Sequence, residues 1–144
     1  MIRIVLLVCV FLFATGPSRA QDITQAVGAI PPEVEGIRYL GSWKRDDVDG
    51  TYRLIVVRKD RESQRLFVQW VARPGDGVAA RIVDTAEIAE FAALKTVITT
   101  LTFDDDGQDL ALYIGTMKAS NGDDTTYEAI IRAPDDILFG PASN

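Results

Sequence analysis

Residues 51–72, "TYRLIVVRKDRESQRLFVQWVA", decide how this chain folds. Two runs rich in β-branched and aromatic side chains flank a charged centre at 59–64. In the first run Tyr52, Leu54 and Val56 share one face, with Ile55 and Val57 on the other. In the second, Leu66, Val68 and Trp70 oppose Phe67 and Val71. A period of two over so short a stretch belongs to strands. Apolar side chains on both faces predict two central strands of a sheet covered on both sides. The centre between them, with Arg58, Lys59, Arg61 and Arg65 interleaved with Asp60 and Glu62, reads as a solvated turn.

Working outward, similar runs recur at 37–43, 96–103, 109–117 and 125–132, with a weaker one at 137–139, each bounded by turn residues. This is the pattern of an antiparallel β domain. In the run at 96–103, Val97, Leu101 and Phe103 alternate with Thr96, Thr100 and Thr102, which predicts a half-buried strand. One stretch interrupts the series. In "VDTAEIAEFAALK", 83–95, Asp84 and Glu87 have the spacing of a capping box. Ile88, Phe91 and Ala92 follow at helical spacing, and Lys95 suits the negative end of a helix. The predicted fold is therefore a single antiparallel β-sandwich or partly closed β-barrel with one short helix over about 85–94. The alternative is an α+β domain with that helix packed on an antiparallel sheet.

The beginning of the chain has a different character. Arg3 precedes an apolar run of eleven residues at 4–14, Gly16 and Pro17 break it, and Ser18 and Ala20 stand where a signal peptidase reads small residues. This layout predicts a signal peptide over 1–20, cleaved after Ala20. The apolar run is well short of the ~20 residues a spanning helix needs, so no stable membrane anchor is expected after cleavage. Residues 21–36, with Pro31-Pro32 and no sustained period, read as an irregular N-terminal arm, leaving 37–144 as the β domain. The predicted destination is export, to the periplasm in a Gram-negative cell and to the medium otherwise.

Composition excludes much chemistry. The chain has no histidine, its one cysteine is Cys9 in the leader, and its formal charge is −6, made more negative by two when Arg3 and Arg19 leave. The mature protein can form no disulfide, thiolate metal site or histidine-based triad. An acidic chain without a basic stripe gives no expectation of nucleic-acid binding. For an enzyme, only a paired-carboxylate or a serine–lysine mechanism remains.

Three acidic stretches join apolar runs: 45–50 "RDDVDG", 104–109 "DDDGQD" and 121–124 "NGDD". The second invites comparison with a calcium loop. With Gly107 at the sixth position of an EF-hand-like loop, Asp104 and Asp106 occupy the third and fifth. Tyr113 then falls at the twelfth, where a bidentate glutamate is required. A hairpin turn accounts for the same residues, with Gly107 at positive φ and the aspartates accepting backbone hydrogen bonds. Asp104 and Asp106 are thus weak metal candidates only. A glycosidase-type carboxylate pair would need a separation of roughly 5–9.5 Å across a cleft, which spacing in sequence does not provide. The stretch 75–80, "GDGVAA", matches a dinucleotide-loop pattern but lacks the surrounding βαβ signals, and no cofactor is expected.

Gly41-Ser42-Trp43 resembles the G-x-W on the first strand of lipocalins and avidins, where the tryptophan closes one end of a barrel. The likeness covers three residues, and Lys44 stands where lipocalins often carry an aromatic. It implies a small barrel carrying an apolar or small polar ligand.

By elimination, the expected function is that of a non-catalytic binding or interaction protein with a protein partner or small ligand. A ligand-carrying barrel is the alternative, with a carboxylate-dependent hydrolase less favoured. Trp43, Tyr52 and Trp70 are the candidate contact residues. A pocket lined by them would favour a ligand, and a flat exposed aromatic patch would favour a protein partner.

Overall fold

The structure, a computed structural model, describes residues 19–75, 79–107 and 109–143. The predicted signal peptide lies outside the described residues except for its last two positions. The chain divides into two units, Met1–Pro31 and Pro32–Asn144. In the first, helix α1, Arg19–Gly28, runs across the bond expected to be cut after Ala20. The arm read as irregular over 21–36 therefore holds most of a helix and, from Val34, the start of a strand. "DITQAV" contains no breaker, and Gly28 with Pro31 and Pro32 beyond it supplies the stop that sequence reasoning spread over the whole segment. Among the described residues no helix is long and apolar enough to cross a membrane.

The second unit is a β-sandwich. Strands β1 (Val34–Arg45), β2 (Val48–Arg58), β3 (Gln64–Ala72) and β4 (Arg81–Glu87) form one antiparallel sheet in that order. After the short helix α2 (Ala89–Ala93), strands β5 (Thr96–Asp105), β6 (Leu110–Lys118), β7 (Asp124–Ala133) and β8 (Asp136–Pro141) form the second. The order in each sheet follows the chain, because every strand is joined to the next by a short connection that favours antiparallel pairing. Among the described residues no ladder closes the sheets into a barrel.

One core lies between them. Leu54, Leu66, Val68 and Trp70 from the first sheet meet Leu110, Leu112, Ile114 and Ile131 from the second. As the alternation predicted, β2 and β3 are central strands that turn Tyr52, Leu54, Val56, Leu66, Val68 and Trp70 inward. Among the described residues of Pro32–Asn144 the expected cover on their outer face is missing. Ile55, Val57 and Phe67 are only half-buried there, screened by neighbours such as Arg65, whose guanidinium lies 4.9 Å from the Phe67 ring centroid.

Three local readings change. The helix begins later and is shorter than 85–94, because Thr85, Ala86 and Glu87 extend β4 against β3. Glu87 caps no helix; both its carboxylate oxygens receive the Arg65 guanidinium at 2.6 and 2.7 Å. That contact lowers its pKa below the usual glutamate value. Of the residues read at helical spacing, Ile88 and Phe91 are fully buried and Ala92 is half-buried. In the first acidic stretch only Asp46 and Asp47 form the turn, with Asp46 at φ 55°, while Val48, Asp49 and Gly50 belong to β2. In β5 a register shift between Ile98 and Thr100 splits the expected alternation. Leu101 and Phe103 share a face as predicted, but Phe103 is exposed, and Thr96 rather than Val97 is buried, its hydroxyl without a hydrogen-bond partner among the described residues.

Candidate functional site

The residues singled out in the sequence come together at one end of the sandwich. Trp43 lies near the end of β1, and the strand approaches it through a bulge between Leu40 and Trp43. Gly41 within the bulge has φ +30°, a conformation that L side chains rarely adopt. The bulge lets Trp43 turn inward, where its ring packs over Gly50, its partner on β2. A Cβ on Gly50 would lie 2.8 Å from that ring and 2.1 Å from the Val71 carbonyl oxygen. The indole Nε1–H of Trp43 donates to the Thr51 carbonyl at 3.1 Å, so its one polar group is satisfied within the hairpin.

Tyr52 and Trp70 are cross-strand partners on β2 and β3. Their rings meet edge to face, with centroids 5.7 Å apart. Burial raises the Tyr52 hydroxyl above the usual tyrosine pKa, and the carboxylates of Asp105 and Asp109 push it further, with Arg45 and the Trp70 indole opposing. At neutral pH the phenol is therefore held in its protonated form.

Above these aromatics opens a cleft of about 250 Å³ whose remaining walls are Lys44, Arg45, Gly107 and Arg132. Trp43, Tyr52 and Trp70 are only 6%, 3% and 1% exposed, so ring edges alone reach it. The floor is aromatic and the walls are polar and cationic. Arg132, from β7, engages Asp109 through Nε at 3.0 Å. Lys44 and Arg45 form no ion pair among the described residues. A larger hollow of about 460 Å³ lies at the other end, between the β2–β3 turn and α2. It is walled by Lys59, Asp60, Arg61 and Glu62, the segment read as a solvated turn, and holds no candidate contact residue.

The β5–β6 turn closes one side of the cleft. Gly107 has φ +83°, and its N–H donates to Asp105 Oδ1 at 2.9 Å, while Asp109 N–H donates to Asp106 Oδ1 at 2.9 Å. This is the hairpin chemistry expected of the stretch. Asp104 lies opposite Ala111 on the ladder and is exposed. Among the described residues no group of three or more His, Cys, Asp or Glu side chains is placed to hold a metal ion.

Asp105 was missed. Its Oδ2 accepts the backbone N–H of Ser42 at 2.7 Å, joining the second sheet to the bulge of the first. A Cβ on Gly41 would lie 2.5 Å from that same oxygen, so the bulge glycine gives the carboxylate room to approach. A signal was present in the alternation: Leu101, Phe103 and Asp105 fall on one face, and a carboxylate continuing an apolar face needs a partner. Lys44, Arg45 and Arg132 were also missed, because nothing in the sequence brings position 132 to the first hairpin.

The strands flanking 75–80 are antiparallel, so the dinucleotide-loop pattern has no βαβ unit around it. No protein-family model, no curated protein and no solved structure matches the chain.

Proposed function

We propose that this is an exported, non-catalytic binding protein and that the cleft over Trp43, Tyr52 and Trp70 is its ligand site. The convergence of these three aromatics beneath Lys44, Arg45 and Arg132, in a chain of net negative charge, carries the reading. Pockets that orient small molecules combine apolar floors with a few placed polar groups. Export rests on the leader-like sequence of 1–20, and the absence of histidine and of any cysteine after that leader supports a non-catalytic role. Of the carrier readings, that of a small polar ligand is favoured over an apolar one. The aromatics are packed against each other and expose edges only, which leaves little apolar surface for a hydrocarbon guest.

A second reading has its own observation. On the outer face of the first sheet Tyr39 is 61% and Ile37 43% exposed, beside half-buried Ile55 and Phe67, a surface suited to a protein partner.

Native mass spectrometry of the protein taken from the exported fraction tests both. A small-mass adduct that is retained by wild type and lost in the double variant Lys44→Gln, Arg45→Gln supports the cleft. An adduct indifferent to that variant, or a co-purifying protein released by Tyr39→Asp with no small adduct present, refutes it.

A further inference from the structure

Resting on the cleft being a binding site, we infer that its ligand is a small organic anion, a carboxylate or phosphate group on a compact, flat body. Three observations point to this class. The first is the sign of the walls. Lys44, Arg45 and Arg132 surround the opening, and no carboxylate of the described residues lines it. Asp105 accepts from Ser42 and from Gly107 with its two oxygens, and Asp109 accepts from Arg132. Among the described residues a cationic ligand would find no carboxylate in the lining, whereas an anion would find Lys44 and Arg45 without an ion pair and Arg132 held by Asp109 through Nε.

The second is what those cations have left to offer. Arg132 reaches Asp109 through Nε, and its two terminal nitrogens make no hydrogen bond among the described residues. A guanidinium so held presents a forked pair of N–H donors, matched in shape to a carboxylate or phosphate. Asp109 thereby acts as the positioning group for Arg132 and fixes the direction of its free edge.

The third is size. A volume of about 250 Å³ lies below the ~300–1,000 Å³ of sites for drug-sized ligands. The exposed ring edges of Trp43 and Tyr52 at its base suit one flat ring or a short chain. Aromatic edges carry partial positive charge, which also favours an electron-rich guest.

Benzoate, benzyl alcohol and benzylammonium share one ring and differ in charge, so they separate charge from shape. Each is titrated into the full-length protein, with the Trp43 indole N–H resonance followed by NMR and assigned with Trp43→Phe. Saturable shifts with benzoate, at least tenfold tighter than with benzyl alcohol and absent with benzylammonium, are expected. Added sodium chloride should weaken them. Lys44→Gln with Arg45→Gln, both exposed side chains, should lose at least tenfold in benzoate affinity with an unchanged melting temperature. Phenyl phosphate, run beside benzoate, reports which anionic headgroup is preferred. Equal binding of all three ring compounds would overturn the anion inference while leaving the binding site in place. No saturable shift with any of the four would overturn both. A benzoate response unaffected by the double variant would mean that these cations do not select the ligand, which also overturns the inference.

Discussion

Two turns of the second sheet are built from nearly the same residues and serve different ends. The β5–β6 turn is "DDDGQD", 104–109, and the β6–β7 turn is "SNGDD", 120–124. Each has a glycine in the left-handed region, Gly107 at φ +83° and Gly122 at φ +76°. Each folds acidic or amide side chains back onto its own backbone: Asp105 and Asp106 in the first, Asn121 accepting from Asp123 N–H at 3.1 Å in the second. The difference is one oxygen. Asp105 Oδ2 reaches Ser42 on the first sheet, sixty-three residues away, while the side-chain bonds given for Asn121 and Asp123 stay inside their turn. Composition makes a turn; position on the strand decides whether it also ties the sheets together. Asp105 is the last residue of β5 and lies on the same face of the strand as half-buried Leu101 and exposed Phe103.

The largest effect lies under the first turn. Trp70 is 1% exposed in the common core, and Trp70→Ala should cost roughly 3–5 kcal/mol, the range for removing a large buried aromatic. Chemical denaturation measures it. A loss below about 1 kcal/mol would mean that the end of the sandwich near the first turn is not packed as described.

Gly41→Ala is next. Its Cβ would displace the Asp105 carboxylate from Ser42, and the residue must also hold φ +30°, so a cost of about 1–3 kcal/mol is expected. The cost should shrink when Asp105 is already alanine, because only backbone strain then remains, and a double-mutant cycle reads that coupling. Additive losses would show that the two residues do not interact.

The smallest effect is a pH dependence. The Tyr52 pKa is raised in the folded protein, first by burial and then by Asp105 and Asp109. A raised folded-state pKa gives a contribution fully present below the unfolded tyrosine value. It is lost as pH climbs from there through the higher folded one. Melting temperatures should therefore fall on the alkaline side of that value, and Tyr52→Phe should flatten the fall. Asp105→Asn should soften it slightly, whereas Asp123→Asn should leave it unchanged. Identical alkaline profiles for wild type and Tyr52→Phe would contradict the assignment.

Much of this architecture was legible before any coordinates. Alternation in 51–58 and 65–72 identified the two central strands and their inward residues, because burial on a sheet imposes a strict period of two. The β5–β6 turn was legible because Gly107 and the aspartates satisfy the turn backbone locally. What failed to show was tertiary. Glu87 has the spacing of a helix cap, yet pairing β4 with β3 offers it Arg65, and the ladder outcompetes one helical turn. The bulge in β5 reverses the parity of Thr96 and Val97, and no local signal marks it. Of the cleft, Trp43, Tyr52 and Trp70 were singled out from the sequence, and the fold brings all three to its lining. Its cationic wall was not, since Arg132 arrives from β7 through the stacking of the two sheets.

The role of the first acidic turn as a tie between sheets is tested most directly by paired thermal and denaturant melts of wild type, Asp105→Ala and Asp123→Ala, each with millimolar calcium and with chelator. Asp105→Ala removes two charge-assisted hydrogen bonds at a partly exposed site and should cost about 1–2 kcal/mol. Asp123→Ala, confined to its own turn, should change stability by less than about 0.5 kcal/mol. Calcium should leave the wild-type curve where it is, because a ligand raises stability only by binding the folded state. Equal losses in the two variants, or a calcium-dependent rise that Asp105→Ala abolishes, would contradict the account.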